Sequence, residues 1–286
     1  MGDTALVLGG GGLTGVGWEI GLLHGLARAG VDVTGADLVV GTSAGSVVGA
    51  QLTSGVLSLG ELYERQLADP KGELSAAMGT AMFARYAWNV LRSRDQKAYG
   101  VRMGALAAAT HTVPAAQRRE VIANRLLSHD WPEGRRLVAT AVDAATGELA
   151  PFDRDSGVDL VDAVSASCAV PGVWPPITID GRRYIDGGIH SSANAHLAAG
   201  YAKVLVIAPI ALGGGPLPGP RTQAARLREA GAEVVLITPS REARRAFGRN
   251  VLDPARRAPA ARAGLAQAAA HVAEVRRLWQ EPTSRP

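Results

Sequence analysis

The stretch Asp37-Leu-Val-Val-Gly-Thr-Ser-Ala-Gly-Ser-Val-Val-Gly-Ala50 carries the clearest structural signal in this chain of 286 residues. The apolar run 38–40 is typical of a short buried strand, and the small residues from Ala44 onward are typical of the start of a helix. Between them lies Gly41-Thr-Ser-Ala-Gly45, a Gly-x-Ser-x-Gly pattern. A strand-to-helix turn this tight requires residues without bulk at both glycine positions. The stretch therefore predicts an α/β fold in which a sharp turn presents Ser43.

A serine at the tip of such a turn is suited to nucleophilic catalysis. The turn projects the hydroxyl outward, and the N–H groups at the start of the following helix point toward the same space. Similar strings occur in ordinary loops, but here a strand precedes the pattern and a helix follows it, as the catalytic version requires. Ser43 is therefore our candidate nucleophile.

A glycine-rich loop, Gly9-Gly-Gly-Gly-Leu-Thr-Gly15, follows a strand predicted at 4–8 and precedes a helix predicted at 16–29. Its open N–H groups suit an anion, either a nucleotide pyrophosphate or the oxyanion of acyl transfer. Gly10-x-Gly12-x-x-Gly15 matches the dinucleotide fingerprint. However, the second strand lacks the acidic residue that would bind a ribose at its end. The pattern therefore favours the oxyanion interpretation.

A catalytic serine also needs a base. Only His190 and His196 lie where a triad histidine is expected along the chain, and neither has local support. Asp186 ends a predicted strand and precedes Gly187 and Gly188, which allow a close approach of backbone or substrate. Partial burial would raise the pKa of this carboxylate toward the range of a working base. Asp186 is our candidate base, although Asp-Gly alone is also an ordinary turn signal.

The remaining patterns predict a single domain over residues 1–286, with three α/β/α layers and a mostly parallel central sheet. Residues 57–130 are predicted to be helical, as a lid or insertion, and 221–286 to be Arg-rich and mostly helical. An apolar stripe from Met78 to Leu91 fits core packing, which we favour, or an acyl-chain groove.

Composition restricts the classes of partner and compartment. The single cysteine, Cys168, excludes an internal disulfide and indicates a reducing, cytoplasmic compartment. No run is apolar enough to span a bilayer, and no signal segment is evident at the N-terminus. The net charge of +4 leaves open a peripheral contact with the inner face of an anionic membrane. A nucleic-acid partner is not expected, and the oligomeric state is left open.

Three motifs, in this order and spacing, resemble the patatin-like phospholipase family, its bacterial branch in particular. Gly9 to Gly15 resembles the oxyanion loop of the family, Gly41 to Gly45 its nucleophile elbow, and Asp186-Gly187-Gly188 its aspartate motif. The likeness is clear over residues 4–52 and 160–190 and loose elsewhere.

The resemblance implies a lipid acyl hydrolase, of phospholipase A or lysophospholipase type, without a metal or organic cofactor. Ser43 and Asp186 would form a catalytic dyad. The N–H groups of Gly11 and Gly12, with Gly10 as a further candidate, would bind the oxyanion.

One position departs from the family pattern, because Thr14 stands where an Arg or Lys is usual. The missing cation weakens the case for a phosphate headgroup relative to simple esters, lysolipids or acyl thioesters. Two other functions remain open. One is an acyltransferase or thioesterase on the same fold, since malonyl transacylases have a similar serine elbow. The other is a non-catalytic lipid- or partner-binding protein.

Overall fold

The computed structural model describes residues 3–69 and 76–280. Within them, eight strands form one sheet. The strands are β1 (Thr4–Leu8), β2 (Leu38–Thr42), β3 (Arg136–Asp143), β4 (Leu149–Phe152), β5 (Ile177–Ile179), β6 (Arg182–Asp186), β7 (Lys203–Ile207) and β8 (Glu233–Ile237). The α-helices are α1 (Gly12–Arg28), α2 (Ala44–Ser54), α3 (Leu59–Leu67), α4 (Thr80–Leu91), α5 (Gln96–Ala109), α6 (Ala115–Arg125), α7 (Leu160–Ser167), α8 (Pro220–Glu229), α9 (Arg241–Phe247), α10 (Arg257–Ala268) and α11 (Val272–Gln280).

The five strands β3-β2-β1-β7-β8 pair in parallel, and β4, β5 and β6 add antiparallel pairs. Alternate residues of β1 belong to two separate apolar clusters, with Leu6 and Leu8 in one and Ala5 and Val7 in the other. Because successive strand side chains point to opposite faces, both faces of the sheet are covered. The predicted α/β/α architecture with a mostly parallel sheet is confirmed.

The register of β3 brings the ends of two distant strands together. Thr140 pairs with Thr42 at the end of β2, and the next residue, Ala141, pairs with Asp186 at the end of β6. Both Thr140 and Ala141 also pair with β4, so β2 and β6 share the opposite edge of β3. Strand β6 therefore takes over the ladder where β2 ends, and its last residue arrives beside the turn that follows β2.

Helices α1 and α10 pack with their backbones in close contact. A methyl group at Gly21 of α1 would stand 2.0 Å from the carbonyl oxygen of Ala261. One at Gly264 of α10 would stand 2.2 Å from the carbonyl oxygen of Trp18. Glycine is required at both positions because any side chain would force the helices apart. The C-terminal segment thus forms part of the helical layer that holds α1 against the sheet.

Helices α3 to α6 occupy the segment predicted to be helical, and no strand occurs among its described residues. Leu62 and Ile122 from this segment reach the main core. The preferred core assignment for the stripe from Met78 to Leu91 holds only in part. Tyr86 and Val90 pack against a buried apolar cluster, but no residue of α4 is itself buried, and Phe83 and Leu91 are exposed. Residues 70–75 and 281–286 of the predicted segments lie outside the described ranges. We keep the single-domain organisation as a proposal.

In the parts of the chain that the structure covers, none of the helices has both the length and the apolar character needed to cross a bilayer.

Candidate active site

The turn after β2 has the strained geometry expected of a nucleophile elbow. Ser43 has φ 52° and ψ −112°, so it is one of few non-glycine residues held at positive φ. A methyl group at Gly45 would lie 2.1 Å from the carbonyl oxygen of Leu8, and one at Gly41 would lie 2.5 Å from the Cα of Ser46. Both glycines of the motif are therefore required by close backbone approach.

The backbone of Ser43 is held on both sides. Its N–H donates to the Oγ of Ser167 at 2.9 Å. Its carbonyl oxygen accepts from the Oγ of Ser46 at 2.7 Å and from the Sγ of Cys168 at 3.4 Å. Ser167 and Cys168 lie at the end of α7, so this helix locks the strained turn in place. The side chain of Ser43 is thereby left to face the cavity described below.

Asp186 lies beside Ser43 and is buried. Burial raises the pKa of its carboxyl group to about 6, and this effect outweighs the opposing influence of the Gly188 N–H, the Ser43 hydroxyl and the charge of Arg118. The Gly188 N–H donates to Oδ1 of Asp186 at 2.7 Å. A methyl group at Gly187 would lie 2.3 Å from the carbonyl oxygen of Thr140. The two glycines thus orient the carboxylate and allow the chain to pass close to β3 at Thr140.

The glycine loop after β1 differs from the prediction at one point: α1 begins at Gly12, not at residue 16. Glycine has a low helix propensity, so the apolar periodicity did not include the first turn. The Gly10 N–H donates to the carbonyl oxygen of Ser192 at 2.7 Å and is engaged within the protein. Within residues 3–69 and 76–280, the N–H groups of Gly11 and Gly12 have no backbone or side-chain acceptor. Both lie at the helix N-terminus, where an anion is favoured.

Gly15 completes this arrangement. A methyl group there would stand 3.2 Å from the Cβ of Ala44, the residue that follows the candidate nucleophile. The absence of a side chain at Gly15 therefore lets the start of α1 pack closely against the serine turn.

These groups open onto one cavity of about 390 Å³. Ser43, Asp186 and the glycine loop form its floor, and its walls are mainly apolar. The wall residues come from α4 with the segment before it, from the segment after β6, and from the loops after α7, β7 and α9: Met78, Phe83, Tyr86, Val170, Gly188, Ile189, Ser192, Ile210, Arg249, Asn250, Val251 and Leu252. Three of the wall residues, Met78, Phe83 and Tyr86, come from the stripe assigned above to the core.

The histidines do not join the cavity. None of the six, all of which lie in described residues, is among its lining residues. His190 and His196 contact each other with ring centroids 5.3 Å apart, and Nδ1 of His190 hydrogen-bonds Oδ1 of Asn194 at 2.9 Å. Burial lowers the pKa of both imidazoles. The geometry thus gives Ser43 a carboxylate neighbour and no imidazole.

Sequence reasoning missed Asn194, which hydrogen-bonds to β2, to β3 and to the segment after β6. Its buried side-chain amide nitrogen lies 3.1 and 3.2 Å from the hydroxyl oxygens of Thr42 and Thr140, and 3.1 and 3.0 Å from the carbonyl oxygens of Gly187 and Ser191. The two N–H bonds of the amide are shared among these four acceptors. Asn194 therefore ties the residue before Ser43 to the residue after Asp186. No local sequence pattern marks it.

Sequence reasoning also missed Arg118, a buried residue of α6. Its guanidinium lies over the ring of Trp174, 4.1 Å from the ring centroid. Both side chains line a second, smaller cavity of about 30 Å³, which Ser43 also lines. The positive charge of Arg118 partly offsets the rise in the pKa of Asp186 that burial causes. A cation is therefore present near Ser43, although it comes from α6 and not from the glycine loop.

Thr14, the departure from the family pattern, is fully buried, and its Oγ1 donates to the carbonyl oxygen of Gly11 at 3.2 Å. Because this hydroxyl points at the loop and not at the cavity, we expect Thr14→Ala to keep ester cleavage within about tenfold of the wild type. The measurement is kcat/KM on a soluble ester, with Thr14→Val as the control of similar size. A collapse of kcat in both variants, with folding intact, would show that the hydroxyl acts in catalysis.

Comparisons with known proteins place the chain in a family. It is similar to VipD from Legionella pneumophila, at 13% identity and a TM-score of 0.48, over 96% of this chain and 67% of that one. It is also similar to the type III effector ExoU, at 14% identity and a TM-score of 0.41, over 96% of this chain and 53% of that one. The sequence model of the patatin-like phospholipases matches residues 6–199, which include the serine turn, the glycine loop and Asp186. This chain belongs to the patatin-like phospholipase family, a family of lipid acyl hydrolases.

Proposed function

We propose that this protein is a serine lipid acyl hydrolase, of phospholipase A or lysophospholipase type, that works through a dyad of Ser43 and Asp186. The observation that supports it best is the pairing of Ser43, on a strained turn, with a buried carboxylate of raised pKa at the floor of an apolar cavity. The membership of the family supports the same reaction class.

The proton transfers follow from the position and pKa of Asp186. With a pKa of about 6, the carboxylate is mostly ionised at neutral pH but still basic enough to accept a proton. As Ser43 attacks the ester carbonyl, its proton passes to Asp186. The proton then passes to the departing alcohol, which leaves an acyl-enzyme on Ser43. Asp186 next takes a proton from the water that attacks this intermediate and returns it to the Oγ of Ser43 as the fatty acid leaves.

The negative charge on the carbonyl oxygen is stabilised by the start of α1. The N–H groups of Gly11 and Gly12 line the cavity next to Ser43 and lie at the positive end of the helix dipole. We assign the oxyanion hole to these two residues and leave Gly10 out, because its N–H is already bonded to Ser192. The apolar walls suit an acyl chain.

We place the enzyme in the cytoplasm, in peripheral contact with the inner membrane face. Cys168, the single cysteine of the chain, is a free, buried thiol, which suits a reducing compartment.

The proposed nucleophile can be tested by covalent labelling. A fluorophosphonate probe should label the wild type and leave Ser43→Ala unlabelled, because only an activated serine hydroxyl reacts. Hydrolysis of p-nitrophenyl butyrate should be lost in the same variant. Ser54→Ala, at the other end of α2 and outside the cavity lining, is the control and should label.

Equal labelling of wild type and Ser43→Ala would place the nucleophile elsewhere. If the wild type is neither labelled nor active while folded, the alternative of a non-catalytic lipid-binding protein takes precedence. Adding glycerol or coenzyme A to the ester assay separates hydrolysis from acyl transfer, because only a transferase forms the corresponding acylated acceptor.

A further inference from the structure

Helix α4 shows water an apolar face, which is the reverse of the usual surface helix. Phe83 is 56% exposed, Trp88 58% and Leu91 80%. At about 100° per residue, these three lie on one side of the helix. The opposite side contacts the body of the protein, where the hydroxyl of Tyr86 donates to the carbonyl oxygen of Pro171 at 2.8 Å. A soluble helix normally directs its polar side outward.

The apolar surface continues beyond α4. Among the described residues, eight large apolar side chains are exposed, and six of them fall in three neighbouring segments. We call these six the mouth patch: Phe83, Trp88, Leu91, Ile210, Leu212 and Val251. Three of its members, Phe83, Ile210 and Val251, also line the catalytic cavity. The loop that carries Leu212 runs alongside α4, since a methyl group at Gly215 would lie 2.5 Å from the side chain of Val90. The patch is therefore continuous with the wall of the cavity.

The charges around the patch are predominantly positive, although Asp95 and Asp253 adjoin its segments and Arg94 is paired with Asp95 at 3.1 Å. Residues 76–94, 209–219 and 248–252 contain four arginines and no acidic residue. The arginines are all exposed: Arg85, Arg92, Arg94 and Arg249. The guanidinium of Arg92 lies 5.3 Å from the ring centroid of Trp88. Tryptophan and arginine together suit the boundary between lipid tails and headgroups, where the ring is partly buried and the charge stays in the polar layer.

We propose that the mouth patch docks this enzyme onto an anionic phospholipid bilayer, with α4 lying in the interface and the cavity opening toward the lipid. This inference rests on the proposed function, since it supplies that site with its substrate. A bilayer fits better than a protein partner, because a protein on the patch would close the entrance to the cavity. The rim of arginines selects anionic lipid.

The test uses full-length Ser43→Ala, so that binding is measured without hydrolysis. The protein is sedimented with vesicles of phosphatidylcholine alone or of equal parts phosphatidylcholine and phosphatidylglycerol. We expect binding to the anionic vesicles to be at least about tenfold tighter and to weaken with added salt. Adding Trp88→Ser and Leu91→Ser should weaken it at least about tenfold, through loss of buried apolar area.

The charge is tested separately. Arg85→Gln and Arg92→Gln should each weaken binding to anionic vesicles about fivefold and leave binding to neutral vesicles unchanged. The charge-matched control is Arg226→Gln with Arg277→Gln, two exposed arginines on α8 and α11. The apolar control is Val56→Ser, a side chain that is 56% exposed at the far end of α2 from Ser43. Neither control should change binding.

A second readout separates this inference from the proposed function. In the enzyme that retains Ser43, the double variant Trp88→Ser with Leu91→Ser should cleave soluble p-nitrophenyl butyrate at a rate within about twofold of the wild type, because neither residue lines the cavity. The docking surface would be overturned if the protein cleaves the soluble ester but does not bind vesicles, or if Trp88→Ser with Leu91→Ser leaves vesicle binding unchanged. Neither result would count against the enzyme assignment. If the protein binds vesicles through the patch but does not cleave the ester, the docking surface stands and the enzyme assignment fails. A dimer that is lost in Trp88→Ser with Leu91→Ser, without vesicle binding, would show that the patch pairs two copies and would also overturn the proposal.

Discussion

Ester cleavage should fall by roughly two to four orders of magnitude in Asp186→Asn, because the variant keeps the shape of the side chain and removes the proposed base. The loss should appear in kcat and in the rate of fluorophosphonate labelling, since both require a deprotonated Ser43. Asparagine can still accept from the Gly188 N–H, so the turn should stay in place. The measurement is kcat and KM on a soluble ester, with folding checked by circular dichroism.

The pH dependence of kcat/KM in the wild type also tests whether Asp186 is the base. Asp186 must be ionised to accept a proton, so kcat/KM should rise as pH rises through about 6 and level off above it. This rise should be absent from whatever activity Asp186→Asn retains. A profile governed by a histidine would instead be altered by His190→Ala, which we expect to keep activity within about tenfold. Inactivity of folded His190→Ala to the degree of Asp186→Asn would falsify the dyad.

Stability provides an independent check on Asp186. Its pKa is higher in the folded protein than its ordinary value of 3.8, so the folded state binds the proton more tightly than the unfolded state does. The favourable contribution of the protonated acid is complete below pH 3.8 and is lost as pH rises through about 6. Asp186→Asn should therefore be more stable than the wild type at neutral pH, by an amount on the order of 3 kcal/mol, and lose this advantage in acid. Equal stability at neutral pH would contradict the raised pKa.

The second large effect is expected at Asn194. Asn194→Ala removes two buried N–H donors that are shared among the hydroxyls of Thr42 and Thr140 and two carbonyl oxygens. The two hydroxyls still bond each other at 2.9 Å, so the carbonyl oxygens bear most of the loss. The substitution also places alanine at φ 51°, a left-handed conformation that alanine resists. We expect the free energy of unfolding to fall by about 3 to 5 kcal/mol, as measured by urea denaturation.

Asn194→Gly separates the two causes. Glycine accepts the left-handed backbone but also lacks the amide, so it should be about 1 kcal/mol less destabilised than Asn194→Ala. Because the amide links the flanks of Ser43 and Asp186, kcat should fall in both variants even where they remain folded. Unfolding free energies within about 0.5 kcal/mol of the wild type would show that the network contributes little.

The parts of this site that lie in one continuous stretch could be predicted from the sequence. The serine turn and the Asp-Gly-Gly segment each carry their own requirement for glycine, and the strands that lead to them are apolar runs. Residue patterns made Asp186 a candidate base, and resemblance to a family made it the partner of Ser43. Their proximity could not be derived from the sequence, because it depends on how β2 and β6 share the edge of β3.

Residues that reach the site from elsewhere left no local signal. Arg118 lies on α6 and contacts Trp174, far along the chain, so neither looked exceptional beforehand. The stripe on α4 was assigned to the core because periodicity shows that a helix has an apolar side without showing what that side faces. In this protein much of that side faces water.

The backbone contact between α1 and α10 has a consequence for the time at which activity appears. Helix α1 begins at the glycine loop, and its packing against Ala261 brings together residues from near the two ends of the described chain. Contacts this far apart in sequence form late, because the intervening chain must first be in place. During synthesis, the serine turn would therefore be made well before α10 is available to hold the start of α1, where the proposed oxyanion hole lies. We therefore expect the nascent chain to show no ester cleavage until α10 has been synthesised and can pack against α1.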